Sequence, residues 1–372
     1  MKNTLVAAII VVLGATSTSA LAADTKINGF ASVVAGIMSD PDTELFGYSD
    51  KMSFKPESLF ALQITSDLTE SVTATAQIMS RGENDYSAEF EWVYLSYEIS
   101  DSSQLNIGRL RIPFYRYSDF LDVGYAYNWV RPPSTVYNLD FTSYDGVSYV
   151  YSSTIGDVDS TLQLIAGSHN SVIDGDPSEL DSLMGVNWTL NYDWLTARVA
   201  YFGADVSVEV GASAPLITAL TSVGLNNDAS NIEIADDYGD FLALGLSVDY
   251  NNFLVDFEII SVAVENSIFA EQNSAYLSLG YRFDELTLLA TIENRNDEHD
   301  DSRYGQISSA YGVLGPTVDS VLKSRKIKQD IVSLGARYNF HPSAALKFDY
   351  TNSETNKEAR ESSLSVGVDL VF

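Results

Sequence analysis

The sequence predicts an all-β fold, a transmembrane antiparallel up-and-down β-barrel of sixteen strands. Three observations predict it. Apolar residues recur with period two in about sixteen segments, each close to the 9–11 residues that a tilted strand needs to cross a bilayer. The links between these segments alternate strictly between short and long. Beyond the N-terminus no stretch is apolar for long enough to form a transmembrane helix, so a membrane assignment rests on strands.

The first 22 of the 372 residues read as a cleaved leader, leaving 23–372 as one barrel domain. Lys2 supplies the positive start, Leu5 to Ala15 the apolar run, and Ala20-Leu21-Ala22 the small-x-small cleavage signal. The run is too short for a membrane anchor. An exported chain without cysteine points to a Gram-negative periplasm or outer membrane, and the missing cysteines exclude thiol catalysis, Cys-ligated metals and disulfides. A formal net charge of −30, from 51 acids against 21 Lys and Arg, argues against a nucleic-acid partner, which requires a basic face. With 45% hydrophobic residues, the chain is no disordered acidic tail either.

In chain order the segments are 25–38, 57–67, 71–81, 88–99, 104–112, 143–154, 159–168, 182–192, 195–203, 239–250, 253–264, 273–283, 286–294, 330–340, 344–353 and 362–372. The alternation is plainest at Leu242, Leu244, Leu246, Val248 and Tyr250, with Ala243, Gly245, Ser247 and Asp249 between them. One apolar and one small or polar face is what a strand shows when its two sides meet different solvents. Tight turns fall near Asp67–Glu70, Asp101–Ser103, Ile155–Val158, Asp193–Trp194, Asn251–Asn252, Asp284–Glu285 and His341–Ser343. Longer loops occupy 39–56, 82–87, 113–142, 169–181, 204–238, 265–272, 295–329 and 354–361. A soluble sandwich or β-helix also alternates, but has no reason to keep one set of turns minimal.

Aromatic residues lie near segment ends, among them Trp188, Tyr192, Tyr250, Phe253, Tyr281 and Phe283, as interfacial girdles require; ordinary β-propensity would also place them in strands. Acids crowd the long loops: Asp40, Asp42 and Glu44; Asp174, Asp176, Glu179 and Asp181; Glu233, Asp236 and Asp237; Asp297, Glu298, Asp300 and Asp301. They read as solvated charge, or as carboxylates bridged by divalent cations to lipopolysaccharide phosphates.

Over its whole mature length the chain resembles the sixteen-stranded Gram-negative porins. The resemblance rests on the leader, the strand count, the loop alternation, the terminal Phe372 after Leu370, Val368 and Val366, and the stretch Asn106-Ile107-Gly108-Arg109-Leu110-Arg111-Ile112-Pro113-Phe114. It implies a homotrimer in the outer membrane, with Phe372 as the signal read by the barrel assembly machinery. It also implies that the link 113–142 folds into the lumen as the third loop and narrows it. Here the loop lacks the Pro-Glu-Phe-Gly-Gly type motif of enteric porins and carries Tyr117 to Tyr127 and Trp129-Val130-Arg131-Pro132-Pro133 instead, which leaves the solute open.

A barrel of this size encloses water, and the narrowest ring of charge sets selectivity. Arg116, Asp119, Asp122 and Arg131 on the third loop are the candidates, with Arg81, Arg109 and Arg111 on the facing wall. Parity turns Arg81, Arg198, Arg282, Arg337 and Lys347 to the lumen, with Asp249, Asp256, Glu258, Glu293 and Asp349 as inward acids. Arg109 and Arg111 share parity with the lipid-facing Leu105 and Ile107. Either a bulge near Gly108 re-aims them, or they meet headgroup phosphates at the outer rim. Arg116 and Arg131 also have a structural reading, pairing with Asp119 and Asp122 to hold the loop's shape. Ala214 to Leu220 reads as a short helix, and loop 295–329 holds the basic cluster Arg325, Lys326 and Lys328; lumen occlusion, lipopolysaccharide binding and plain exposed loop all remain open.

Catalysis finds little support. The three histidines are His169 at a loop lip, His341 in a tight turn, and His299 within an unspecific metal-binding pattern at 296–301. No Gly-x-Ser-x-Gly, His-Glu-x-x-His or phosphate-cradling loop occurs. The resemblance implies passive diffusion of small hydrophilic solutes and ions, without a cofactor. The acidic chain favours cations at the mouth. A specific channel for small anions such as carboxylates, and a non-conducting structural or adhesive barrel, stand as alternatives. Outer-membrane lipids and lipopolysaccharide are the expected surroundings.

Overall fold

The computed structural model describes residues 24–372 except 42, 174, 210, 300–311 and 358–359, so the expected leader, Asp42, Asp174, Asp300 and Asp301 lie outside the described residues. Sixteen strands close into one antiparallel barrel, each bonded to its sequence neighbours and the first to the last. They are β1 (Thr25–Met38), β2 (Leu59–Asp67), β3 (Val72–Arg81), β4 (Ala88–Ser100), β5 (Ser103–Arg111), β6 (Ser143–Ile155), β7 (Val158–Ile173) and β8 (Asp176–Tyr192). The second half comprises β9 (Leu195–Val208), β10 (Ile234–Tyr250), β11 (Phe253–Val264), β12 (Glu271–Phe283), β13 (Leu286–Glu298), β14 (Lys328–His341), β15 (Ala344–Thr355) and β16 (Glu361–Val371). Every expected segment is a strand.

Burial runs opposite to that of a soluble sheet. On β10, Leu242, Leu244 and Leu246 are exposed while Phe241, Ala243 and Ser247 are buried; on β15, Leu346, Phe348 and Tyr350 are exposed while Lys347, Asp349 and Thr351 are buried. An aliphatic outer face is solvated by lipid and leaves the opposite face for polar groups. The outer face also carries contiguous aromatics at the tight-turn end. Trp194 lies 6.4 Å from Tyr192 and 5.9 Å from Tyr250, and Tyr281 lies 4.9 Å from Phe253 and 4.6 Å from Phe283.

The short turns are short for a local reason. Gly156, Asp193, Asn251 and Asp284 open two-residue connections and hold positive φ, which these residue types tolerate and tight hairpins require. At the seam, Gly29 and Phe372 exchange both backbone hydrogen bonds, at 2.8 and 2.9 Å. The Phe372 ring occupies the space above Gly29, where a Cβ would come within 2.5 Å of it.

At the opposite end the strands run further than expected: β10 begins at Ile234 and carries Asp236 and Asp237, β13 carries Asp297 and Glu298, and the change is largest at one link. The expected loop 169–181 is largely strand: β7 and β8 stay paired from His169↔Leu180 out to Ile173↔Asp176. Asp176, Glu179 and Asp181 therefore sit on a strand, and His169 within β7. Beyond the apolar belt, backbone pairing continues without any demand for apolar side chains, so periodicity could not mark where the strands end.

Two other outer links are helical. The link after β9 forms α1 (Ala214–Ser222) and α2 (Asn226–Ser230), and the link after β13 ends in α3 (Leu314–Arg325). Leu216 and Leu220 of α1 and Val318 and Leu322 of α3, each pair four residues apart on one helix face, meet Ala229, Ile232 and Ile268 in a small second core, against which Ile234 at the start of β10 also packs.

Candidate functional site: a long link clamped to the polar face

The 31-residue link from Ile112 to Thr142, between β5 and β6, is tied along its length to side chains on the polar face of distant strands. Two 3-10 turns, Ser118–Phe120 and Gly124–Ala126, shape it. Wall carboxylates accept its backbone N–H groups: Arg116 N to Glu258 Oε1 at 2.9 Å, Val130 N to Asp349 Oδ2 at 2.7 Å, and Thr135 N to Glu293 Oε2 at 3.0 Å. Wall cations donate to its carbonyls: Arg198 to Phe114 at 2.9 Å and to Pro113, Arg337 to Tyr127 at 2.7 Å, and Lys347 to Trp129 at 2.6 Å and to Gly124. Each buried charge thus meets a backbone dipole that would otherwise lack a partner, and such charge-assisted bonds are about twice as strong as neutral ones.

Side chains add to this. Tyr117 Oη donates to Asp256 at 2.9 Å, Tyr137 Oη to Glu258 at 2.6 Å, and Trp129 Nε1 to Thr291 at 2.9 Å. Phe114, Tyr115, Tyr117, Tyr127 and Trp129 are all buried, in one cluster with Phe202, Phe241 and Tyr276 of the wall. Ring centroids lie 4.7 Å apart for Phe114 and Phe241, and 5.9 Å for Trp129 and Tyr276 in an edge-to-face arrangement.

Of the residues singled out from sequence, Arg198, Asp256, Glu258 and Arg337 face inward and are spent on the link. Arg282 also faces inward, near the tight turns, and pairs with Asp249 at 2.9 Å. Arg116 lies 3.4 Å from Asp256 and over the Tyr117 ring at 4.5 Å, so its partner is a wall acid and not Asp119 or Asp122. Arg131 grips Glu57 through two bonds of 2.6 Å and reaches Ser365 at 3.0 Å. The sequence had not singled out Glu57; it belongs to the first outer link, and only tertiary folding brings it across. Asp119 is exposed and has no ion pair within 4 Å among the described residues.

Arg109 and Arg111 do not share one fate: the bulge turns only Arg111 inward. Gly108 sits at φ +141°, a conformation that L side chains avoid, and a Cβ there would lie 2.3 Å from the Val93 carbonyl. The partner strand β4 shifts register beside it, with Gln77 opposite Trp92 but Ile78 opposite Phe90, so Glu91 is the extra residue of a bulge. Arg109 stays on the outer face, 42% exposed, in a bidentate pair with Asp145 at 3.0 and 2.9 Å. It keeps the side that its parity indicates and does not join the inward cluster among whose constriction candidates it had been counted. Arg111 turns inward, 6% exposed, and bonds Glu91 at 2.6 Å, Asp122 and the Ser118 carbonyl at 3.2 Å.

Arg81 completes this cluster, 2.8 Å from Glu91 and 3.1 Å from Asp122. Burial alone would raise the Asp122 pKa, but the Arg111 and Arg81 guanidiniums hold it below the usual carboxylate value. Partial desolvation pushes the nearby Glu83 carboxyl up, against the pull of Arg81. Between this part of the link and β1–β3 lies a polar gap of about 160 Å³, bordered by Arg81, Arg131, Glu57, Glu83 and Asp122.

The family model described as Gram-negative porin matches residues 7–367. The chain belongs to the Gram-negative porins. No curated protein matches it in sequence. Among solved structures it is similar to a loop L8 deletion mutant of OmpT, an outer membrane protein of Vibrio cholerae, at 12% identity and TM-score 0.61, covering 94% of this chain and 100% of that one. OmpT in its trimer form matches at 12% identity and TM-score 0.57, over 94% and 99% of the two chains. The anion-selective porin from Comamonas acidovorans matches at 13% identity and TM-score 0.59, over 94% and 100%. Identities this low speak to the fold alone. Family and fold together make this porin an outer-membrane channel for passive diffusion.

Proposed function

We propose that the link Ile112 to Thr142 lies across the lumen as its constriction, and that small hydrophilic solutes pass through the polar gap between it and β1–β3 with a preference for cations. The observation that carries the preference is the charge balance at that gap. Glu57, Glu83 and Asp122 face Arg81 and Arg131, and the adjoining Glu89 and Glu91 outnumber Arg111. Each arginine has a carboxylate within 3.1 Å, whereas Glu83 has no ion pair within 4 Å among the described residues, so the uncompensated charge is negative. A fixed negative charge in a narrow aqueous passage enriches cations there.

The same pairing argues against the anion-channel alternative, whose arginines are neutralised. No catalytic step belongs to this reading: His169 is buried within β7 and His341 accepts a hydrogen bond from the Ser343 N–H in a turn. The homotrimer, too, is proposed, supported by the likeness to OmpT in its trimer form. Phe372 is proposed as the assembly signal; its exposed ring on the outer face beside Phe60 leaves it open to recognition. Reversal potential in a planar bilayer under a KCl gradient tests the channel reading. Stepwise conductance with K⁺ favoured over Cl⁻ is expected; Cl⁻ preference overturns the proposed charge balance, and no conductance from a folded barrel overturns the passage itself.

A further inference from the structure

The inner face of the barrel abandons its polar character over β8–β11. Phe202, Ala204 and Val206 of β9, Phe241 of β10 and Ile260 and Val262 of β11 all turn inward and are buried. Phe114, Leu139 and Phe141 of the clamped link cover part of this surface but do not fill it. A cavity of about 110 Å³ remains, its wall almost wholly apolar with Asp240 the one charged residue at it, and five phenylalanines line it: Phe114, Phe141, Phe202, Phe241 and Phe269. An engineered apolar cavity of about 150 Å³ stays dry and takes up benzene, so this space suits one aromatic ring. Phe202 and Phe114 already meet edge to face at 5.3 Å, the packing a further ring would extend.

The cavity shares Val208 and Ile234 with a second recess of about 350 Å³ beside α1. Glu209 and Glu233 line that recess. Both are exposed, and neither carboxylate has an ion pair among the described residues. An apolar pocket of ring size beside two unpaired carboxylates has a definite chemical complement. We propose that it is a binding site for small aromatic ammonium ions, with the ring among the phenylalanines and the ammonium at Glu209 and Glu233. An aromatic carboxylate would meet repulsion at those acids, and an ammonium without a ring would leave the cavity empty. Binding stands on the cavity and its rim; onward passage of the bound ion rests on the cation preference proposed above.

The test is calorimetric titration of the full-length protein, folded in detergent, with 2-phenylethylammonium, phenylacetate and ethylammonium. The expected result is affinity for 2-phenylethylammonium roughly tenfold or more above either control. Ala204→Phe, which fills the cavity, abolishes that binding, and Glu209→Gln with Glu233→Gln weakens it about threefold or more. Equal affinity for phenylacetate or ethylammonium, or unchanged binding in Ala204→Phe, overturns the site. Should Ala204→Phe fail to fold, Val262→Met narrows the same space and is expected to weaken binding by about threefold. Reversal potential on the same preparation separates the two proposals: binding with Cl⁻ preference removes the cation channel and keeps the site, while K⁺ preference without binding removes the site and keeps the channel.

Discussion

The backbone N–H of Arg116 donates to the carboxylate of Glu258 at 2.9 Å, across 142 residues of chain. Glu258 is completely buried, and its second oxygen accepts from Tyr137, so one wall acid fixes both arms of the long link. Charge that parity places in the lumen is here used first as a fastener. Glu258→Ala removes two bonds to a charged acceptor, each worth about 1.5–3 kcal/mol. The expected outcome is a link that moves: open-channel current noise rises and hydrogen exchange at Arg116 and Tyr137 quickens, while the barrel keeps its resistance to SDS. Both readouts unchanged would mean that Glu258 does not hold the link.

Acid is expected to erode the cation preference before it breaks the ion pairs of Asp122. The Glu83 pKa is raised, so its negative charge is lost as pH falls through a value above that of an ordinary glutamate. The Asp122 pKa is lowered, so its ion pairs with Arg81 and Arg111 persist below the ordinary carboxylate range. Reversal potential should therefore drift toward zero in mildly acidic buffer. Glu83→Gln should remove that drift.

Closure of the barrel depends on a missing side chain. A Cβ at Gly29 would lie 2.5 Å from the Phe372 ring and 2.9 Å from the Ala61 carbonyl. Gly29→Ala is expected to cost about 1–3 kcal/mol as overpacking, read as a lower urea midpoint. Phe372→Leu in the same chain should recover part of the loss by clearing the ring.

The helical cap is predicted to melt on its own. Leu220 is fully buried in one cluster with Leu216, Val318 and Leu322. Leu220→Ala should cost about 2–5 kcal/mol within that small core. Limited proteolysis should then cut within 209–233 while the barrel remains intact; cleavage rates equal to those of the parent would show that the cap is not held by this core.

Much of the fold is legible in the sequence because lipid outside and polar groups inside impose strict period two, as in Leu346, Phe348 and Tyr350 against Lys347, Asp349 and Thr351. The inner apolar patch is not legible by the same logic: from Val199 to Val206 both faces are largely apolar, so parity cannot announce that Phe202 and Ala204 line a cavity. Arg109 and Arg111 were ambiguous because their separation depends on Gly108 and on a bulge in the neighbouring strand, neither of which leaves a periodic trace. The inward acids were found, but their bonds to Arg116, Val130 and Thr135 join residues more than a hundred positions apart. The Arg131–Glu57 pair, 74 residues apart, is likewise made only by tertiary folding. Of the two long helical links, only Ala214 to Leu220 showed a clear apolar stripe; in α3 the stripe is reduced to Leu314, Val318, Val321 and Leu322 among polar residues.

The passage between β1–β3 and the clamped link is tested most directly by thiol modification, since the chain contains no cysteine of its own. A single Glu83→Cys, placed at the polar gap, is reacted with a bulky thiol reagent while current is recorded, with Leu242→Cys on the outer face as control. Solute passage through this gap predicts that modification at position 83 cuts conductance by more than about half and that modification at 242 leaves it unchanged. Complete modification at position 83, verified by mass, with undiminished conductance would place the passage elsewhere in the barrel.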